Sequence, residues 1–162
     1  MTRQELPRIT TNTTVQQGGD FPSSKEQVLA YEFPDLVDRI QTEMNLPEDQ
    51  AEALFRDMLR FLYICGTNQS KRHPFYPPVH IDEAWHAFLL FTREYEAFCR
   101  YHFGVFLHHS PVTPSNRSQH KHTPKNLVFP LARKTFGELS KNWTIEAADC
   151  PQSCCPSYDC NN

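Results

Sequence analysis

HIDEAWHAFLLFTREYEAFCRYHF, residues 80–103, decides the class of this chain. Ile81, Trp85, Phe88, Leu89, Phe91, Tyr95, Phe98, Cys99 and Phe103 recur at steps of three and four. That is the period of one helix face, not the alternation of a strand. The spacing predicts one long core helix over 79–102, with Gly104 as its C-cap or turn residue.

Upstream, FPDLVDRIQTEMNLP places Phe33, Leu36, Val37, Ile40 and Met44 at the same spacing and predicts a helix over 34–45, with Pro34 tolerated in its first turn. LPEDQAEALFRDMLRFLYICG repeats the signal. Pro47 stands at the first turn, Glu48 and Asp49 sit beside the positive helix end, and Gly66 is the expected stop. Its broad apolar set (Leu54, Phe55, Met58, Leu59, Leu62, Tyr63) marks it as central. TNQSKRHPFYPP reads as a loop from its Pro, Asn and Ser content. Downstream, LHHSPVTPSNRSQHKHTPKN (107–126) has three prolines and no periodicity and reads as a long loop. LVFPLARKTFGELSKNW gives one short helix over roughly 130–141, with Trp143 docking back and the LVF triplet the only strand-like run. The expected fold is all-α, a compact bundle of three to four helices with long irregular N-terminal and C-terminal segments. It divides into a draped or disordered stretch 1–24, a helical domain 25–148 and a Cys-rich tail 149–162.

The chain has 162 residues, 39% of them apolar, which suits one domain with one core. A net charge of −3 gives no electrostatic case for nucleic acid or anionic membrane as the main partner. No apolar run approaches a membrane span. The N-terminus, MTRQELPRITTNTTVQQGGDFPSS, lacks the apolar region of a signal peptide, so a cytoplasmic location is expected. The N-x-S/T matches at Asn12, Asn68, Asn116 and Asn142 then carry no weight.

Chemistry concentrates at the two ends of the quoted segment. Asp82 and His86 stand at i, i+4 and Glu83 and His86 at i, i+3, so either carboxylate can share a helix face with the imidazole. A di-iron bundle would need a second carboxylate-x-x-His copy, which is absent, and there is no H-E-x-x-H pair. A mononuclear site is more economical: His86 with Asp82 or Glu83 from the helix, His108 or His109 returning from the loop, and water in an open position. His80, His120 and His122 are spare imidazoles. The same residues also have a bland reading, with acids steadying the helix dipole and His108-His109 lying in a surface loop. Cys99 near His102 lies among apolar neighbours, which argues for a protonated thiol rather than a nucleophile. Cys65 and Cys99 read as small buried hydrophobes. Four further cysteines crowd CPQSCCPSYDCNN, as Cys150, Cys154, Cys155 and Cys160. C-x3-C-C-x4-C is not a standard zinc spacing, so these form a second, weaker candidate metal site, a disulfide set or a reactive tail.

Three runs, LRFLYIC (59–65), HIDEAWHAFLLFTREYEAFC (80–99) and FGVFLHHSP (103–111), resemble a bacterial family labelled glycine-rich domain-containing protein-like, related to a module of plant glycine-rich domain proteins. Asp82, Trp85, His86, Thr92, Tyr95, Phe98, Cys99, Gly104, His108, His109 and Pro111 fall on its pattern, and FGELSKNW resembles its closing segment. The resemblance spans roughly 50–155 and implies a compact helical domain, but no activity. The chain departs from it at Phe88, where the pattern has a second histidine, so a ligand set built on that histidine would be incomplete here.

Two readings follow, with no enzyme class assigned. In the first, Asp82, His86 and His108 or His109 hold a divalent metal, Zn or Fe. In the second, the cluster is a hydrogen-bonded brace inside a non-enzymatic module that offers residues 110–126 to a protein partner. Contact with nucleic acid through RSQHKHTPK (117–125) is disfavoured because that patch is basic only locally.

Overall fold

Ser24 opens the first helix through a reciprocal cap. Its Oγ accepts from the Gln27 backbone N–H at 3.3 Å, and Gln27 Oε1 accepts from the Ser24 N–H at 2.8 Å. This Ser-x-x-Gln capping box starts α1 (Lys25–Leu29), an element too short to show periodicity and missing from the sequence reading. The computed structural model describes residues 22–68, 75–109 and 128–143. The spare imidazoles His120 and His122, the four tail cysteines, nearly all of the stretch 1–24 and the offered loop 110–126 lie outside the described residues.

α2 (Pro34–Met44) begins at its proline and ends at Asn45, which takes the left-handed conformation at φ 51°. Asn tolerates that conformation better than most residues do, and its N–H returns to the Gln41 carbonyl. Pro47 precedes α3 (Glu48–Thr67), with Glu48 and Asp49 in the first turn. α3 is central, packing against every other helix described below. On its inner faces Leu54, Phe55, Met58, Leu59, Phe61, Leu62 and Ile64 are all buried. Arg56 ties the preceding connection to α3 by donating to the carbonyls of Leu29 (2.8 Å) and Tyr31 (3.1 Å).

Gly66 does not stop α3, which runs through it to Thr67. A Cβ at this position would overlap the Phe103 ring, so the glycine permits the close approach of Phe103.

The expected single helix 79–102 is two: α4 (Val79–Leu89) and α5 (Thr92–Phe103). The break is at Phe91, whose ψ of 64° leaves the helical region. Its ring packs edge-on against Phe33 at 4.9 Å, with the Arg39 guanidinium 5.8 Å from the ring centroid. Turning the chain here brings Phe88 and Tyr95 together edge-to-face at 5.0 Å. The bend also explains a pairing that no straight helix allows. Ten residues of α-helix rise about 15 Å, yet Trp85 Nε1 donates to Tyr95 Oη at 3.0 Å.

The last helix, α6 (Val128–Phe136), is shifted from the expected 130–141. It ends where Gly137, at φ 79°, turns the chain, and the LVF run is helical at Val128 and Phe129 rather than extended. A 3₁₀ turn, Lys141–Trp143, then buries Trp143. The all-α class therefore holds, with six α-helices among the described residues instead of three or four, and no strand among them. No helix among them is long and apolar enough to cross a membrane.

One charged group sits in the core. Asp57 on α3 is almost fully buried, and every described contact is a donor. Arg60 Nη1 (3.0 Å) and Trp143 Nε1 (2.9 Å) donate to its Oδ1, while Asn142 Nδ2 (2.9 Å) and the Ser140 hydroxyl donate to its Oδ2. A buried carboxylate is tolerated only when so satisfied, and this one locks residues 140–143 onto α3.

Candidate metal centre

Asp82 lies in the first turn of α4, its backbone N–H bonded to the Pro78 carbonyl at 2.9 Å, beside the positive end of the helix. His86 follows one turn later on the same face, half-exposed, with Nε2 3.7 Å from Asp82 Oδ2. Both orientations follow from the i, i+4 spacing.

The third member arrives from the loop after α5. Gly104 caps α5 in the left-handed region at φ 71° and reverses the chain. Leu107 then drops into the core, and its carbonyl accepts from the Tyr95 hydroxyl at 2.7 Å. His108 points outward against the Phe106 ring, 4.8 Å between centroids. His109 points inward, and its Nε2–H donates to Asp82 Oδ1 at 2.8 Å. A carboxylate only accepts, so in the ion-free cluster the Nε2 proton makes this contact, and a bound ion would take that proton's place. The His109 ring lies 4.4 Å from Trp85 and 4.6 Å from His86.

Asp82, His86 and His109 each offer a ligand atom, and these atoms all lie within 4.8 Å of one another. Two donors on one tetrahedral ion, with bonds of about 2.0–2.1 Å, stand about 3.3 Å apart. The two contacts to Asp82, at 2.8 and 3.7 Å, bracket that separation. Contracting the remaining span needs rotation of the half-exposed His86, which has open space to move. The donor set is therefore two imidazoles and one carboxylate with solvent on one side, a chemistry suited to a borderline divalent ion.

Other expected members fall away. His108 does not join the cluster, because the alternation set by Leu107 turns it to solvent. Glu83 also stands apart, its Oε2 3.4 Å from His80 Nδ1 on the exposed side of α4. Phe88 does not vacate a ligand position either. It is fully buried between Tyr31, Phe33, Tyr95 and Phe98, so a side chain at 88 faces the core and not Asp82.

The two described thiols lie in or against the apolar core. Burial pushes the Cys65 thiol far up, and burial likewise raises Cys99, which also contacts the Tyr95 hydroxyl and the Leu107 backbone. Cys99 is fully buried as expected, whereas Cys65 is only partly covered. Sequence reasoning missed Tyr95 and Leu107 as supports of the site. Tyr95 fell within the apolar period and so read as plain core, although a buried phenol needs hydrogen-bond partners.

Comparison with curated proteins and with solved structures gives no match. A family model does match, over residues 23–135, a span that holds the core helices and all three clustered side chains. The chain belongs to the UCP032817-like family.

Proposed function

We propose that Asp82, His86 and His109 hold one divalent metal ion, Zn²⁺ or Fe²⁺. The observation that carries this reading is the convergence of three ligand atoms within 4.8 Å, two from one face of α4 and one from a loop pinned by core hydrogen bonds. His86 is half-exposed and so is not needed for packing, and His109 retains some solvent contact. The similarity of the WH…FC…FG…HH runs to the glycine-rich domain-containing protein-like family adds support for treating this segment as one unit. An ion held by three protein ligands keeps a position for water or a small oxygen donor, and lowers the proton affinity of a water bound there.

One observation favours a second reading. The 2.8 Å bond from His109 to Asp82 already satisfies both groups, as a brace would. In that reading the domain is a non-enzymatic interaction module, and the cluster fixes the start of the segment that it presents to a protein partner.

Elemental analysis of full-length protein purified without a polyhistidine tag separates the two. The metal reading expects about one equivalent of ion, lost in His86→Ala and in His109→Ala. The ion should stay when Cys150, Cys154, Cys155 and Cys160 are all replaced by serine. An ion that leaves with the cysteines contradicts the reading. Metal-free protein in which His109→Ala only lowers the melting temperature establishes the brace.

A further inference from the structure

We propose that Tyr95 is the positioning residue of this metal centre, selecting His109 over the adjacent His108 as ligand; the proposal rests on the metal reading above. Two neighbouring histidines leave the choice of ligand open, and the chain settles it by the phase of residues 106–109. Leu107 is buried, His108 exposed and His109 half-buried, so Leu107 and His109 share the inner side. That phase is held by the burial of Leu107 and by its carbonyl, which takes the Tyr95 phenol proton at 2.7 Å. The phenol is in turn oriented by the Trp85 indole N–H at 3.0 Å. Trp85 immediately precedes His86 on α4, and its ring packs at a tilt against His109, 4.4 Å between centroids. The hydroxyl of Tyr95 thus ties the loop that carries one ligand to the helix that carries the other two. It does so through two hydrogen bonds in a water-excluded place, where each is stiff and costly to lose. A phenylalanine would fill the same volume and leave both the Trp85 donor and the Leu107 acceptor unsatisfied.

The test uses the full chain, with Zn²⁺ affinity read by chelator competition and the visible spectrum of the Co²⁺-loaded protein as an independent readout. Wild type is expected to take one equivalent, with a spectrum that changes in His109→Ala; no binding at all overturns the metal reading itself. In Tyr95→Phe the affinity should fall about 10- to 100-fold, with a Co²⁺ spectrum matching that of His109→Ala. Phe98→Leu, a core truncation away from the site, should lower the melting temperature yet keep the wild-type affinity and spectrum. Wild-type affinity in Tyr95→Phe, or an equal loss in Phe98→Leu, refutes positioning by the hydroxyl. Deletion of His108 gives a second arm that does not depend on how well Tyr95→Phe folds. All three ligands remain in the chain, but His109 steps into the outward place behind a still-pinned Leu107. The expected result is a wild-type melting temperature with the affinity of His109→Ala. Full affinity in the deletion shows that the loop is free to choose its phase and contradicts the proposal.

Discussion

Trp143 donates its indole N–H to Asp57 Oδ1 at 2.9 Å, joining the 3₁₀ turn to the middle of α3 across a separation of 86 residues. The carboxylate is buried and also receives Arg60, Asn142 and Ser140. Removing it strands several donors, and the Arg60 guanidinium loses its partner. Asp57→Ala is expected to cost about 3–5 kcal/mol in chemical denaturation. A loss below about 1 kcal/mol would show that water replaces the carboxylate freely.

Gly66 against Phe103 makes a second prediction. At an open helical position, Gly→Ala gains about 1 kcal/mol. Here the new methyl group meets the buried Phe103 ring, and overpacking costs about 1–3 kcal/mol. Gly66→Ala should therefore lower the melting temperature, and Phe103→Leu should be less harmful in that background than in wild type. Additive losses in the double-mutant cycle would separate the two side chains.

His102 predicts a pH dependence. It is buried among Tyr31, Phe98, Tyr101 and Phe103, its Nδ1 has no hydrogen-bond partner among the described residues, and burial pushes its pKa down to about 4. The unfolded chain, with histidine near its ordinary value of about 6.5, then binds more protons than the folded one as the pH falls. Stability is full above about pH 6.5 and declines toward pH 4, by on the order of 2–3 kcal/mol from this group. Urea denaturation at pH 7 and pH 4.5 should show a smaller acid loss in His102→Phe than in wild type. Equal losses in the two proteins would clear His102 of any part.

The reading of residues 80–103 as helical core holds because Ile81, Trp85, Phe88, Tyr95, Phe98, Cys99 and Phe103 are buried, with Leu89 and Phe91 partly covered between them. The break at Phe91 left no trace in the sequence, since no Gly or Pro marks it and the apolar period runs through it. It comes from tertiary packing, with the Phe91 ring drawn to Phe33 and Arg39. Gly66 misled in the opposite way. A glycine at the end of an apolar run has the same signature as a stop, and only the position of Phe103 shows that it serves a close approach. Other misses were legible. Ser24-x-x-Gln27 is a helix start, Gly137 is a helix end, and an Asp inside the Leu54–Met58–Phe61 stripe announces a buried partner set.

The candidate site divides along the same line. Asp82 and His86 are joined by helix geometry and can be paired from spacing alone. Choosing between His108 and His109 needed the phase of the loop, which the Tyr95–Leu107 bond sets from twelve residues away. The Phe88 departure looked like a missing ligand because the resembled pattern has a histidine there, although Phe88 already stood in the apolar period of the helix. With Trp85 and Phe88 both turned inward, position 86 alone of these three is exposed.

X-ray absorption at the zinc edge of the zinc-loaded full-length protein tests the central claim most directly. Binding by Asp82, His86 and His109 predicts a first shell of nitrogen and oxygen only, at about 2.0–2.2 Å, with outer-shell scattering from two imidazoles. Sulfur scattering at about 2.3 Å would place the ion on cysteines and contradict it.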